Sequence, residues 1–298
     1  MTLDQLRIFV AVAERNHVTR AAESLHLSQS AVSAAIAALE TRYGVRLFNR
    51  VGRGIELTET GREFLAEARA VLTRAEQAEA TLAGLGGLTR GTLRVRASQT
   101  IASYWLPRHL VAFRRAHPGI EIALSVGNTA EVTAAVLAGH AELGFIEGDA
   151  IAPNLASRLI ARDRIVIVLG AQHPRASSRL TVSDLTTLEW VLREPGSGTR
   201  AVFEAALPAL GISVGQLQVA LELPSNESVR AAVEAGMGAT ALSASVAASG
   251  LEAGTLALVD IKLPDRFFQM VWHTERDLSR AARRLGEIIA GPANASPT

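Results

Sequence analysis

No cysteine occurs among the 298 residues. That excludes thiol catalysis, thiolate metal sites and disulfides, and it fits a reducing compartment. Aromatic residues are scarce, at 4%, so a core must be packed mainly with alanine, valine, leucine and isoleucine. Lysine is almost missing: Lys262 is the only one, and arginine carries the rest of the basic charge. A bias that runs through the whole chain reflects base composition and marks no site, although guanidinium groups do suit phosphate contacts. The formal net charge of +1 says nothing about partners. No apolar run approaches the ~20 residues of a membrane span. The opening MTLDQLRIFVAVAERNH has neither a basic run ahead of an apolar stretch nor a small-residue cleavage site, so no secretory leader and a cytoplasmic location are expected.

Signs of catalysis are missing too. The seven histidines include no HxxxH pair that would hold a metal. There is no GxSxG nucleophile elbow, and GLGGLTRG is not followed by the Gly-Lys-Ser/Thr of a phosphate-binding loop. His109 and His117 stand eight apart in one helix, too far for a shared ligand. The chain is therefore expected not to be an enzyme and to need neither cofactor nor metal.

What is present is order. Apolar residues make up 48% of the chain, enough for a core in each of two domains, and the pattern changes near residue 90. Leu3, Leu6, Phe9, Val10 and Ala13 have helical spacing, broken at Asn16 and His17. A second helix is expected from Thr19 to Leu25. Ser28 is an N-cap for a third helix, from Gln29 to about Tyr43, which Gly44 stops. Val32, Ile36, Leu39 and Tyr43 share one face of it. In VRLFNRVGRGIELT, Gly52 and Gly54 sit between short apolar stretches, as in a hairpin. Thr58 and Glu59 open a long helix to about residue 83, since an acidic first turn suits the helix dipole. Phe64, Ala68, Val71, Ala75, Ala78, Leu82 and Leu85 repeat along it at heptad spacing, a seam that asks for a partner helix. The glycine-rich segment 84–91 reads as a hinge.

Beyond it, strands such as TLRVRAS, IEIALSV and RIVIVLG alternate with helical stretches; IASYWLPRHLVAFRRAH is expected to be helical despite Pro107. Apolar strands alternating with helices predict parallel sheets covered on both faces. Two such runs predict two α/β lobes with a cleft between them. The expected domains are 1–58, a helix-turn-helix with a wing; 59–89, a dimerising helix and hinge; and 90–298, a ligand-binding domain. Its lobe I covers about 90–162 and 267–298, and its lobe II about 163–266.

Two short helices joined by the turn HLSQ place the second helix in a DNA major groove. Gln29 heads it, and Ser30, Ser33, Ala34 and Ala37 lie opposite its apolar face. Gln pairs with adenine, Ser bonds either base type, and alanine touches the thymine methyl. Arg20, Arg50 and Arg53 are candidates for phosphate or minor-groove contacts. That face carries no arginine or lysine, so readout is expected to lean on DNA shape and the wing as well.

In doubly wound lobes, ligands sit beyond the carboxyl ends of strands, near helix N-termini. Three polar junctions fit: Ser98, Gln99 and Thr100; Asn128 and Thr129; and Ser197 with Thr199. Their hydroxyls and free amides suit an oxyanion; each residue taken alone reads first as an N-cap, and the three matched junctions together favour a ligand site. Glu147 also falls in the cleft, where it would accept a hydrogen bond from a protonated anion or pair with an arginine. Asn226, Glu227 and Ser228 are read first as helix caps.

The run LDQLRIFVAVAERNHVTRAAESLHLSQSAVSAAIAALETRYGVRLFNRVGRGIELTETGREFL resembles the N-terminal signature of LysR-type transcriptional regulators. The resemblance implies an all-α winged helix-turn-helix domain, a dimerising linker helix, and an α/β two-lobed effector domain resembling type 2 periplasmic binding proteins. It further implies homotetramers of paired dimers, with promoter DNA, a small effector and RNA polymerase as partners and no membrane. Ala34 and Ala35 depart from the basic or amide residues that many members carry there. ASQTIASYWLP, VGNTAEV, LGFIEG and REPGSGTR resemble the CysL-like branch, linked to sulfur assimilation and carbon fixation, which implies a small anion such as sulfite or sulfate as effector. A solute-binding protein of the same two-lobed fold is the alternative.

Overall fold

The computed structural model describes residues 1–51, 54–84, 91–148 and 152–291. Its elements fall into two compact units.

The first unit begins with α1 (Leu3–Arg15), where Thr2 and Gln5 cap each other reciprocally and Asn16 ends the helix in the left-handed region at φ 48°. Helix α2 (Val18–Ser24) starts one residue before the expected Thr19, because the His17 side chain accepts the Arg20 amide as its cap. In α3 (Gln29–Tyr43) the Ser28 hydroxyl accepts the Ala31 amide, and Gly44 closes the helix at φ 65°. Strands β1 (Phe48–Val51) and β2 (Gly54–Leu57) pair antiparallel, with Phe48 opposite Leu57, and form the wing. Helix α4 (Glu59–Gly84) follows. The Thr58 hydroxyl accepts the Gly61 amide at 2.9 Å and caps its start. A Cβ on Gly61 would stand 2.2 Å from the Leu47 carbonyl oxygen, so only glycine lets α4 approach the wing this closely.

Leu6, Phe9, Val12, Ala21, Val32, Ile36, Leu39, Leu47 and Ala68 share one core. The Phe9 ring lies 5.4 Å from Phe48 and 4.9 Å from Phe64, which ties α1 to the wing and to α4. Two expectations change here. Tyr43, placed by spacing on the buried face of α3, is 52% exposed; it lies at the last turn, beyond the core, with the Arg42 guanidinium over its ring. The seam of α4 is divided: Phe64 and Ala68 pack on the unit's own core, whereas Val71 and Ala78 face solvent. The side chain of Leu82, Leu85 and most of the hinge segment lie outside the described residues.

The second unit runs β3 (Gly91–Ser98), α5 (Pro107–Ala116), β4 (Ile120–Gly127), α6 (Thr129–Leu137), β5 (Leu143–Glu147) and β6 (Leu155–Gly170). It continues with β7 (Glu189–Arg193), α7 (Gly198–Ala206), β8 (Gln218–Leu223), α8 (Asn226–Glu234), β9 (Ala239–Ser243), α9 (Ala244–Glu252), β10 (Leu256–Val259), β11 (Asp265–His273) and α10 (Arg280–Ala290). The helix expected across Pro107 is two pieces. A π-helical turn covers Ile101–Trp105, and α5 starts afresh with Pro107 in its first turn, where a missing amide hydrogen costs nothing.

The described strands are ordered β4-β3-β5-β11-β6-β9-β7-β8, with β10 also on β6. Strands β3, β4 and β5 are parallel, as are β7, β8 and β9. The sheets expected to be parallel are nevertheless mixed, because β6 and β11 pair antiparallel with each other and with β9 and β5. The reason is topological. The chain passes to the second lobe along β6, 16 residues long, and returns along β11, and two passes in opposite senses pair antiparallel. Ile160 belongs to the first lobe's core and Ile165 to the second's. Each lobe's sheet is apolar on both faces: Val132, Val136, Ile146 and Val271 back the first, and Val168, Val191, Val229 and Leu242 back the second.

Candidate functional site

The candidate DNA-reading face is built on α3. Its inward side chains Val32, Ile36 and Leu39 are buried, which leaves Gln29, Ser30, Ser33, Ala34 and Ala37 exposed together on the other side. The hydroxyls of Ser28 and Ser30 lie 3.0 Å apart, at the helix N-terminus. Arg20 on α2 and Arg50 on β1 are exposed; Arg53 lies outside the described residues. A positioning residue that spacing did not reveal is Glu40. Its carboxylate accepts the Leu47 amide at 2.7 Å and the Phe48 amide at 3.2 Å, fixing the end of α3 to the base of the wing.

In the second unit the polar junctions picked from sequence come together between the lobes. Ser98, ending β3, donates its hydroxyl to Glu147 Oε1 at 3.2 Å. Thr199, in the first turn of α7, donates to Glu147 Oε2 at 3.3 Å. The Thr129 hydroxyl accepts the Glu147 amide at 3.4 Å. Ser197 is the cap of α7, accepting the Arg200 amide. Asn128 accepts the Glu131 amide at the start of α6 and reaches across to Glu194 Oε1 at 3.2 Å. Gln99 accepts the Asn226 amide at 2.8 Å, and Thr100 accepts the Asn226 side-chain amide at 3.0 Å. Ser98, Thr100, Glu147, Ser197 and Thr199 are all buried.

Close approach of the lobes requires glycine. A Cβ on Gly198 would lie 2.5 Å from Thr129 Oγ1 and 2.9 Å from the Glu147 carbonyl oxygen. Gly196, at φ 88°, offers its carbonyl to the Ala130 amide of the other lobe at 3.2 Å. At the rim Tyr104 bonds Glu227, and burial, then this carboxylate, push its phenol pKa up.

Sequence reasoning missed the charged residues beneath. Arg266 on β11 is fully buried; its NH1 lies 3.2 Å from Glu147 Oε2 and donates to Thr199 Oγ1 at 2.9 Å. Its Nε donates to Asp163 Oδ2 on β6 at 2.6 Å, and Ser243 donates to the other oxygen of Asp163 at 2.9 Å. Of the two roles foreseen for Glu147, the arginine pair is therefore the one present. Arg193, also buried, bonds Glu194 through two nitrogens and Asn226 Oδ1 through a third. Asn226 is not a cap, because Ser225 caps α8. Asn226 is instead a fully buried bridge from Arg193 to Thr100. A lone Arg in FF-rich β11 was the available signal for Arg266; nothing local signals Asp163. Among the described residues no cluster of three His, Asp or Glu side chains could hold a metal ion.

Hydroxyls, helix starts and a guanidinium thus gather between the lobes of one unit, and the other unit presents an exposed helix of the kind that fits a DNA groove. Comparison with known proteins agrees with that pairing. A family model described as "Bacterial regulatory helix-turn-helix protein, lysR family" matches residues 3–62, and one described as "LysR substrate binding domain" matches 86–291. The chain is 37% identical over 297 residues to the HTH-type transcriptional regulator YeiE of Escherichia coli, covering 99% of this chain and 98% of that one. It is 32% identical to the RuBisCO operon transcriptional regulator of Allochromatium vinosum, covering 98% and 97%. Among solved structures, CbnR, a LysR family transcriptional regulator, shares the fold at a TM-score of 0.74 and 24% identity, covering all of both chains. CbnR has also been solved with its target DNA, at a TM-score of 0.72, 24% identity and coverage of 97% of this chain and 99% of that one. With both family models in order along it and relatives similar from end to end, the chain belongs to the LysR family of DNA-binding transcriptional regulators and is not an enzyme.

Proposed function

We propose that this regulator senses a small oxyanion, with sulfite or sulfate as the leading chemistry, in the cleft formed by Ser98, Gln99, Thr100, Asn128, Thr129, Glu147, Ser197 and Thr199. The observation that carries the reading is the convergence of Ser98, Thr199 and Arg266 on one pair of oxygens, those of Glu147. Donors from two lobes and a crossover strand that already hold a carboxylate are suited to other oxyanions. Relatives named for the RuBisCO operon support a link to carbon fixation; the sulfur side of the reading rests on the oxyanion chemistry of the cleft.

In this reading residues 1–58 read promoter DNA, with Gln29, Ser30 and Ser33 at base edges and Arg20, Arg50 and Arg53 on phosphates. Residues 59–89 pair two chains through the exposed stripe of α4. Residues 90–298 sense the effector and join dimers into a homotetramer, with lobe I as 90–162 and 267–298 and lobe II as 163–266. RNA polymerase is a further contact at the promoter, in the cytoplasm. A ligand changes the DNA complex only if it binds one lobe arrangement better than the other.

The test is a thermal-shift titration of the full chain with sulfite, sulfate, phosphate and chloride at matched ionic strength. A native-state ligand at 100 times its Kd adds about 2.7 kcal/mol of stability. The reading expects a saturable rise with at least one sulfur oxyanion and none with chloride; identical curves for all four salts refute it.

A further inference from the structure

The donors that would receive an anionic effector are already engaged. Glu147 is 4% exposed; its two oxygens take hydrogen bonds from Ser98 on β3 and Thr199 at the start of α7, and one of them forms an ion pair with Arg266 on β11. That is three elements spread over both lobes and the crossover, all gathered on the side chain of one residue at the end of β5. The nine-residue helix α7 adds the partial positive charge of its N-terminus. Gly198 brings that terminus against the Glu147 backbone, as a Cβ there could not.

Two further observations decide what the carboxylate does. First, the guanidinium it touches is also held by Asp163 at 2.6 Å, so one buried cation serves two buried carboxylates. A free anion added beside them would face two like charges across a desolvated gap. Second, Arg266 NH2 is buried and has no hydrogen-bond partner. The Glu147 carboxylate, a planar group fixed to the chain, leaves that nitrogen unmatched, which is costly in a buried place. A pyramidal or tetrahedral oxyanion has three or four oxygens and can take that donor as well as the other three.

Resting on the reading of the cleft as an oxyanion sensor, we infer that the Glu147 carboxylate is a tethered stand-in for the effector. It occupies the anion subsite and clasps the lobes until a free oxyanion, matched to one donor more, displaces it. Effector affinity is then set by competition with a side chain, and this selects against simple carboxylates. They have the same two oxygens as Glu147 and no tether.

The experiment uses the full-length protein, Glu147→Ala and Glu147→Gln, with formate, sulfate and chloride at constant ionic strength, read by melting temperature and by calorimetric titration. Formate is expected to leave wild type unmoved and to raise the melting temperature of Glu147→Ala saturably, by refilling the vacated carboxylate position. Sulfate is expected to bind Glu147→Gln about 10-fold or more tightly than wild type. Glu147→Gln keeps shape and one acceptor, so it remains a test if the alanine variant fails to fold. Equal sulfate affinity in wild type and Glu147→Gln overturns the inference, as does a folded Glu147→Ala that ignores formate. The two readings separate cleanly. Formate rescue without any effect of sulfur oxyanions on wild type keeps the stand-in and removes the oxyanion effector. A sulfate response that is equal in wild type and Glu147→Gln does the reverse.

Discussion

Arg266 and Asp163 stand directly opposite each other on β11 and β6, and the guanidinium Nε donates to the carboxylate at 2.6 Å. The pair sits where the two strands cross from one lobe to the other, and both side chains are almost wholly buried. The neighbouring pair, Phe267 opposite Arg162, shares a cation–π contact at 5.7 Å. Side chains alternate along a strand, so the two pairs point to opposite faces of the crossover ribbon.

Removing one partner of such a pair leaves a desolvated charge short of compensation, at a cost of about 3–5 kcal/mol. Asp163→Ala is expected to lose at least the lower figure, read as a urea midpoint shift at unchanged slope. A loss below about 1 kcal/mol would mean that Glu147 alone can compensate Arg266.

Gly198 is a steric hinge pin between the lobes. In Gly198→Ala the new Cβ meets Thr129 Oγ1 and the Glu147 backbone at under 3 Å, so the lobes must separate locally. Amide exchange at Ala130, which bonds the Gly196 carbonyl, and at Glu147 is expected to speed up about 10-fold or more. Unchanged protection at both amides would place the strain elsewhere.

Asp184 gives a pH signature. Hydrogen bonds from the Thr181 hydroxyl, the Arg175 guanidinium and the Thr181 amide hold its carboxyl well below the usual carboxylate range. A depressed folded pKa contributes stability above the unfolded value, about 3.9, and loses it as pH falls toward the folded one. Asp184→Asn is expected to melt lower than wild type at pH 7, with the gap narrowing between about pH 4 and pH 2. A gap that stays constant over that range contradicts the assignment.

On the DNA side, Arg50 is exposed on β1 of the wing. If it contacts phosphate, Arg50→Ala weakens binding to every sequence alike and reduces the salt slope of log K by about 1. An unchanged slope, measured by fluorescence anisotropy between roughly 50 and 200 mM salt, removes the contact.

Much of this was legible one residue at a time. Ser28, Gly44 and Thr58 mark helix ends through local hydrogen bonding and backbone freedom. Ser98, Thr129 and Thr199 stand out because strand ends meet helix starts at a cleft. What was not legible depends on distant pairing. Arg266 and Asp163 are 103 positions apart, and only the antiparallel return of β11 along β6 sets them opposite each other. Asn226 reads as a cap until the lobes close over it and Thr100 comes within 3.0 Å. Tyr43 follows the apolar spacing of α3, yet the core ends one turn earlier, so periodicity alone misplaces it.

The most direct test titrates sulfite into a complex of the full-length protein with its own promoter, for wild type and for Thr199→Val, following DNA affinity by anisotropy. The valine keeps shape but can neither donate to Glu147 nor accept from Arg266. Wild type is expected to change its DNA affinity by about 5-fold or more, the usual scale of allosteric coupling, and Thr199→Val by none. A response of equal size in both proteins would contradict the cleft as the sensing site.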